Sequence, residues 1–413
     1  MKKYYYAVGL ALSGMLLGSC SNDENTPNPD PEPVAEARPL QVTAKERSIV
    51  EKSNGLAPVL LSAILEKTPK TDVVVSPLSA EIYFSMLANA AEGESRDKIL
   101  EFLGADDIEA LNSLNARYME ELPLVDPSKA SVIMANNVWY NSDRSVVSTP
   151  DFSETLSTYY GAEHISLPLT SDAGKSTLAI NGWISDKTSG LINHLYNDLE
   201  ISGSLVIMAN AMHFKAEWKE KFKAAETRLA DFHDASGNVI GQVPMMSGTM
   251  SGDFSLDETG YRLVIPFGQG AYQMEIKLPL DGVSLSEAAE ELAKYPSFPC
   301  GGAKIILKMP RFTTDYEYRI EEVMSTLSIE DAVLSKITSE VHPDGIKKSS
   351  ILTRQRANIT VDEDGAVAAV VTATQGITSP GVLEVTLDRP FVYMIREVSS
   401  GAILFMGAKC TAN

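Results

Sequence analysis

The sequence predicts an α+β fold with large mixed sheets, because helical patterns dominate its first part and strand patterns dominate the rest. The chain has 413 residues, of which 44% are hydrophobic and 22% are charged, so it can bury a large core. From about residue 42 to the end, no linker, internal repeat or charge block interrupts the pattern. We therefore expect a single domain over residues 42–413.

Helical spacing of apolar residues predicts helices over residues 45–65 and 80–103. The second helix follows Ser76-Pro77-Leu78-Ser79 and should end at Gly104. Later segments alternate or form continuous apolar runs, which are typical of strands. These predicted strands cover residues 131–140, 204–214, 272–280, 303–309 and 391–407. The order lacks a regular βαβ alternation, which favours mixed sheets over a parallel one.

The N-terminus has the pattern of an export signal. Met1-Lys2-Lys3 is basic, and the apolar run at residues 7–19 is shorter than the ~20 residues that span a bilayer. Its end, Leu17-Gly18-Ser19-Cys20, resembles the lipobox of bacterial lipoproteins, in which the cysteine is lipidated. We interpret residues 1–19 as a lipoprotein signal peptide and residues 20–41 as a flexible tether that begins acidic and Pro-rich. Cys20 should anchor the exported protein to the bacterial outer membrane, on the periplasmic or the cell-surface side.

Several functional classes are disfavoured. A net charge of −20 argues against nucleic-acid binding, because neutralising phosphates requires a surplus of Lys and Arg. Residues 173–177 imitate a phosphate loop, but Leu169 stands where its first glycine is needed. Residues 362–365 imitate a calcium loop, yet Thr360 and Val371 occupy its first and last ligand positions. The five histidines lack zinc-site spacing, and no nucleophile motif occurs, so we expect no enzyme, cofactor or metal site. Whether Cys300 and Cys410 pair stays open.

The most informative segment lies near the C-terminus. Residues 357–363 alternate as a strand, and an acidic turn then ends at Gly365. Residues 366–374 contain no charge, no Pro and no bulky side chain, which is typical of an ordinary buried strand. They continue, however, into residues 375–381, whose Gly, Ser and Pro residues are typical of an exposed loop. A strand-competent segment tied to an exposed loop is unusual.

Short motif blocks are distributed over residues 45–410 of the chain. They are Val74-Val75-Ser76-Pro77-Leu78-Ser79, Tyr159-Tyr160-Gly161-Ala162, Asn181-Gly182-Trp183-Ile184 with Thr188-Ser189-Gly190, the block from Asn210 to Lys219 that includes Trp218, Pro244-Met245-Met246, Asp388-Arg389-Pro390-Phe391 and residues 401–407. These blocks resemble those of the serpin family of serine protease inhibitors, and they occur in the family's order, which makes chance agreement negligible. The resemblance implies helices packed around three β-sheets and an exposed reactive loop near the C-terminus.

The resemblance also implies a mechanism. A serpin is cleaved in its reactive loop by the target protease, and the loop inserts into the central sheet before the acyl-enzyme hydrolyses. The matching hinge residues are Glu363, Gly365, Ala366, Val367, Ala368, Ala369, Val370, Val371 and Thr372. Family spacing from Gly365 and from Pro390 places the reactive bond at Ser379–Pro380. Because Pro hinders cleavage on its N-terminal side, Ile377–Thr378 and Thr378–Ser379 are alternatives.

Further positions carry over from the family. Arg311 falls where a Lys is usual and is expected to pair with Glu363, while Gln355 replaces the His that many serpins place behind the central sheet. Asn210 and Ser79 are expected to hydrogen-bond at that position, and Trp218 to support the insertion site.

Three readings of function follow. The first is a monomeric inhibitor of elastase-like or subtilisin-like serine proteases, with papain-like cysteine proteases as a second possibility. The others are a non-inhibitory serpin-fold binding or scaffold lipoprotein, and a hydrolase with an unfamiliar arrangement.

Overall fold

The structure is a computed structural model that describes residues 36–296, 299, 302–320, 331–365 and 383–413. The predicted signal peptide, Cys20 and Cys300 lie outside these residues. So do the hinge from Ala366 to Thr372 and the reactive bond at residues 377–380.

Eight α-helices occur in the described residues: α1 (Ala44–Lys67), α2 (Pro77–Ala90), α3 (Gly93–Leu103), α4 (Ile108–Glu121), α5 (Pro150–Tyr160), α6 (Ala173–Lys187), α7 (Asp198–Ser202) and α8 (Leu285–Lys294). Their starts follow local rules. At α1 the side chains of Thr43 and Glu46 each accept a hydrogen bond from the other's backbone N–H, and Ser76 caps α2 just before Pro77.

Nineteen strands occur in the same residues: β1 (Val73–Val75), β2 (Ala130–Asn141), β3 (Val147–Ser148), β4 (Glu163–Leu167), β5 (Val206–Ala216), β6 (Arg228–His233), β7 (Val239–Leu256), β8 (Gly260–Phe267), β9 (Tyr272–Pro279), β10 (Ala303–Pro310), β11 (Phe312–Tyr318), β12 (Val333–Leu334), β13 (Ile337–Thr338), β14 (Ile346–Lys347), β15 (Ile351–Leu352), β16 (Gln355–Val361), β17 (Leu383–Thr386), β18 (Phe391–Glu397) and β19 (Ile403–Lys409). The predicted strands at residues 131–140, 204–214, 272–280 and 303–309 match β2, β5, β9 and β10 to within two residues.

Three main sheets organise the body, and short two-stranded pairs lie beside them. The first has the order β1-β19-β18-β9-β8, and the second contains β7, β10 and β17 with β6 on β7. The long strand β7 joins these two, because residues 253–256 pair with β8 and residues 245–252 pair with β10. The third is the four-stranded sheet β15-β5-β2-β4, and the two-stranded sheet β11-β16 lies beside its strand β5; we call the two together the central sheet.

Helices cover the sheets on apolar faces. Helices α1, α2 and α8 pack on the first sheet, and α2 also packs on β5. These contacts bury the main core, which includes Phe84, Met274 and Phe405. Helix α6 covers the outer face of the central sheet, where Trp183 meets Trp139 edge to face. This α+β arrangement confirms the predicted fold class.

Three boundaries differ from the sequence prediction. The helix predicted over 80–103 is two helices, because Ala91 and Glu92 are extended and Gly93 has a φ of +53°. The strand predicted over 391–407 is the antiparallel pair β18 and β19. The packed body also begins before residue 42. The N–H of Arg38 donates to the carbonyl of Val125, and Leu40 is only 1% exposed, so the predicted tether over 20–41 is too long.

Two further observations bear on the predicted site classes. Within the described ranges, no helix combines the length and apolar character needed to cross a membrane, and no group of three or more His, Cys, Asp or Glu side chains is arranged to hold a metal ion.

Cys410 is a buried free thiol, and burial raises its pKa to about 12. It has no disulfide partner among the described residues, which do not include Cys300.

Candidate functional site at the split central sheet

The central sheet is split between β5 and β16. β5 pairs with β2 on its far side, and β16 pairs with β11. Within the described residues, no ladder of backbone hydrogen bonds joins the facing edges of β5 and β16. Among the described residues, backbone pairing holds the two halves together at their ends: β15, which precedes β16 in the chain, pairs in parallel with β5 at Ile351 and Val206, and Gly365, which follows β16, bridges to Glu217. The split is therefore a gap bordered by two strand edges and closed at both ends.

Two small cavities lie in the split. The cavity near Gly365 is apolar, with Phe214 of β5 on one side and Ile359 and Val361 of β16 on the other. The cavity near β15 is more polar and is lined by Asn210 and Met212 of β5, by Gln355 and Ala357 of β16, and by Ser76, Ser79 and Tyr318. The space between the strands thus changes from apolar to polar along its length.

The polar cavity brings together three residues that the resemblance singled out, but they bond elsewhere. Gln355 accepts a hydrogen bond from the Tyr318 hydroxyl. Asn210 donates from Nδ2 to Asn136 Oδ1 over 2.8 Å, and the Ser79 N–H donates to Ser76 Oγ over 3.1 Å. The expected hydrogen bonds of Asn210 and Ser79 at position 355 are therefore absent from the described residues. Asn210 Oδ1 is buried and has no hydrogen-bond partner there.

The other end of the split is held by a tight turn at residues 362–365. The N–H of Asp362 donates to the carbonyl of Gly365, and the Asp364 N–H donates to the side chain of Asp362. Trp218 closes the turn from the β5 side, since its Nε1–H donates to the carbonyl of Asp362 and its backbone N–H to that of Asp364. The Trp218 ring stacks on Phe267 at 4.3 Å between centroids. These contacts fix the position from which the chain leaves β16.

Gly365 cannot be replaced without moving backbone. Its φ is +131°, a region that residues with a side chain rarely adopt. A Cβ at this position would lie 2.3 Å from the carbonyl oxygen of Ala216 and 2.5 Å from the nitrogen of Trp218. The chain therefore passes against the end of β5 so closely that only glycine fits.

Glu363 is anchored beside this turn. Its side chain is 10% exposed, and Oε1 accepts a hydrogen bond from Thr227 Oγ1 over 2.6 Å. Arg311 Nη1 lies 3.5 Å from the same oxygen, but the Arg311 side chain is 50% exposed, so this ion pair contributes about 0–1 kcal/mol. The N–H of Phe222 donates to the carbonyl of Glu363. Thr227 and Phe222 were missed by the sequence analysis, because nothing in a Thr or a Phe more than 130 residues away indicates this contact.

The chain returns to the described structure at Leu383. There β17 pairs in parallel with β10 at the edge of the second sheet, and Lys308 Nζ lies 2.7 Å from Glu384 Oε1. Residues 366–382, which carry the predicted hinge and reactive bond, therefore connect the end of the split at Gly365 to the edge of another sheet.

Comparison with known proteins identifies the class. A family model described as Serpin (serine protease inhibitor) matches residues 51–411. The chain therefore belongs to the serpin family, as its sequence motifs indicated. Wheat Serpin-Z1A is 28% identical over 374 residues, which cover 84% of this chain and 92% of the relative.

Solved structures agree on the fold. The thermophilic serpin tengpin in its native state has a TM-score of 0.76 at 24% identity, with 92% of this chain and 97% of that chain covered. Arabidopsis AtSerpin1 in its native stressed conformation has a TM-score of 0.76 at 23% identity, with 90% and 100% covered.

Proposed function

We propose that this serpin inhibits proteases as a suicide substrate. The observation that carries the proposal is the split between β5 and β16, which ends at the turn of residues 362–365 that follows β16. After cleavage of the loop and formation of the acyl-enzyme, the segment that begins at Ala366 enters the split as an additional strand. The protease is carried away from its original position before the ester hydrolyses.

The bridge between Glu217 and Gly365 supplies a register for that strand. The bridge is antiparallel, so each later loop residue should lie opposite an earlier residue of β5. Ala368 then faces Phe214, Val370 faces Met212, and Thr372 faces Asn210. Because opposite residues share a face of a sheet, these three side chains should point into the two cavities.

The chemistry of the loop agrees with this register. The small side chain of Ala368 enters the apolar cavity beside the large ring of Phe214, where little space remains. Thr372 reaches the polar cavity, where its hydroxyl can donate to the unpartnered Oδ1 of Asn210. A segment without charge or Pro can also form backbone hydrogen bonds to both β5 and β16.

The target class follows from the loop composition. Residues 357–388 contain no Lys or Arg, so a trypsin-like enzyme, which binds a basic side chain in a charged pocket, should form no complex through this loop. Ile377, Thr378 and Ser379 suit elastase-like and subtilisin-like serine proteases, which accept small or aliphatic residues. Papain-like cysteine proteases are a second class of target.

Incubation with a pancreatic-type elastase tests the proposal. We expect a protease–inhibitor complex that survives SDS gel electrophoresis, and a released C-terminal peptide that begins at Thr378, Ser379 or Pro380 by mass spectrometry. Trypsin is the matched control and should give no such complex. Cleavage of the loop without any stable complex would instead support a non-inhibitory serpin, and tight trypsin inhibition or a cut outside residues 376–381 would contradict the target assignment.

We further propose that Cys20 is lipidated and holds the protein on a bacterial outer membrane. The support is the Leu17-Gly18-Ser19-Cys20 pattern at the end of a short apolar run. Cys20→Ala should move the protein from membrane fractions to the soluble fraction, because a lipid chain provides about 0.8 kcal/mol of membrane affinity per buried methylene. A Ser21→Ala variant keeps the cysteine and should stay with the membranes. Unchanged sedimentation of Cys20→Ala would disprove the anchor.

A further inference from the structure

A row of polar side chains runs through the main core beneath the first sheet. Glu81, Ser85 and Asn89 follow one another at every fourth residue of α2 and share one face of the helix. They face Asn112 and Asn115 of α4 and Tyr160 of α5. Relative exposures range from 0% for Glu81 to 7% for Asn112, so water does not reach this row.

Most polar atoms of the row are paired. Asn112 Oδ1 accepts from Asn89 Nδ2 and from the Tyr160 hydroxyl, each over 2.7 Å. Glu81 Oε1 accepts from Ser85 Oγ over 2.7 Å and from Asn115 Nδ2 over 3.0 Å. Two oxygens of the row, Glu81 Oε2 and Asn115 Oδ1, are buried without a hydrogen-bond partner among the described residues.

The two unpartnered oxygens belong to groups that already touch each other. Both accept hydrogen bonds when Glu81 is ionised, so neither can satisfy the other. A carboxylic acid and a primary amide, however, form two parallel hydrogen bonds, in which the acid O–H donates to the amide oxygen and the amide N–H donates to the acid carbonyl. One proton on Glu81 Oε2 would therefore satisfy both atoms at once.

We propose that Glu81 is a neutral carboxylic acid in the folded protein and donates from Oε2 to Asn115 Oδ1, which makes the contact between α2 and α4 a pH-sensitive lock. The Nδ2 to Oε1 hydrogen bond of 3.0 Å supplies the second half of the ring. Loss of the proton breaks one hydrogen bond and leaves a negative charge in the core. The lock is thus closed in acid and weakened above neutral pH.

The surroundings favour the neutral form. Ionisable groups on the neighbouring elements include Tyr118 of α4, Tyr160 of α5, the ion pair of Glu46 in α1 with Arg117 in α4, Arg96 of α3, His213 and Lys215 of β5, Glu397 of β18 and Lys409 of β19. No described cation forms an ion pair with Glu81, since Arg117 pairs with Glu46 and Glu121, and Lys409 with Asp72. Burial raises the pKa of Glu81 to about 7, against the hydrogen bonds from Ser85 and Asn115 that lower it.

The raised pKa of Glu81 sets the sign of the pH effect on folding stability. The folded state holds the Glu81 proton up to about pH 7, whereas an unfolded glutamate loses it near pH 4.5. Between these values the folded state binds more protons, so its stability falls as pH rises. The unfolding equilibrium constant should increase by up to tenfold per pH unit in this window and level off above it.

The lock lies close to the split sheet. Helix α2 is capped by Ser76, which lines the polar cavity and whose hydroxyl donates to the carbonyl of Leu404 in β19. A weaker contact between α2 and α4 therefore loosens the layer beneath β5. This pH dependence is a property of the folded protein alone and does not require inhibition of any protease.

Urea unfolding from pH 5 to pH 8.5 tests the lock. Gln is the isostere of a protonated Glu, and its amide can donate to Asn115 Oδ1, so Glu81→Gln should remove this part of the pH dependence. At pH 8 we expect its unfolding constant to be about two orders of magnitude below that of the wild type, and at pH 5 to be similar. The control Glu109→Gln alters an exposed glutamate of α4 and should follow the wild type.

A second measurement covers the case in which Glu81→Gln does not fold. Carbon-13 NMR of the wild type labelled at the glutamate carboxyl groups should reveal one side chain that is protonated at pH 6 and titrates near neutral pH. Infrared spectra should contain a matching protonated-carboxyl band that disappears at pH 9. If every glutamate is ionised at pH 6, or if Glu81→Gln retains the full pH dependence, the lock does not exist.

Discussion

Ala368→Arg should convert this serpin from an inhibitor into a substrate. If the inserted strand continues the register of the bridge between Glu217 and Gly365, residue 368 will point into the apolar cavity beside Phe214. A buried, unpaired guanidinium costs several kcal/mol, and each ~1.4 kcal/mol slows a step about tenfold. Insertion then becomes slower than hydrolysis of the acyl-enzyme. We expect the yield of SDS-stable complex with elastase to fall more than tenfold, while the loop is still cut.

The neighbouring position provides the matched control. In the same proposed register, Ala369 would lie opposite His213, on the face of β5 that also carries the exposed Lys215. Burial lowers the pKa of His213, so its imidazole is neutral at pH 7 and does not repel an added cation. Ala369→Arg should therefore keep most of its complex formation. Equal loss in both variants would contradict the register, and full inhibition by Ala368→Arg would contradict insertion itself.

Cleavage of the loop should raise the unfolding temperature by at least about 10 °C. The inserted strand gains backbone hydrogen bonds to both β5 and β16, and it fills two cavities that line the split. In a domain of this size, each kcal/mol of stabilisation raises the unfolding temperature by about 2 °C, and a new central strand contributes several kcal/mol. Differential scanning calorimetry before and after nicking by a catalytic amount of elastase measures the shift.

Nicked Ala368→Arg separates insertion from other effects of cleavage. It carries the same cut but resists insertion, so its unfolding temperature should change little. If the wild type unfolds at the same temperature before and after nicking, the native state is not held above an inserted form, and the non-inhibitory reading gains support.

Local sequence patterns predicted much of the secondary structure of this protein. The apolar spacing in α1, the alternation in β16 and the glycine at position 365 each express constraints between residues a few positions apart. The motif blocks of the serpin family then identified the whole body, since they occur in order along the chain. The break between α2 and α3 was missed, because the apolar pattern continues across Ala91 and Glu92 although their backbone is extended.

Only the tertiary structure decided how the site is held. The anchor of Glu363 on Thr227, the hydrogen bond of Gln355 with Tyr318 and the contact of Glu81 with Asn115 join residues that lie 136, 37 and 34 positions apart. No periodicity or local motif encodes such contacts, because each depends on which elements the chain packs against each other. The sequence alone thus determined the family and the chemistry of the loop, whereas packing of distant elements determined the split that can receive it.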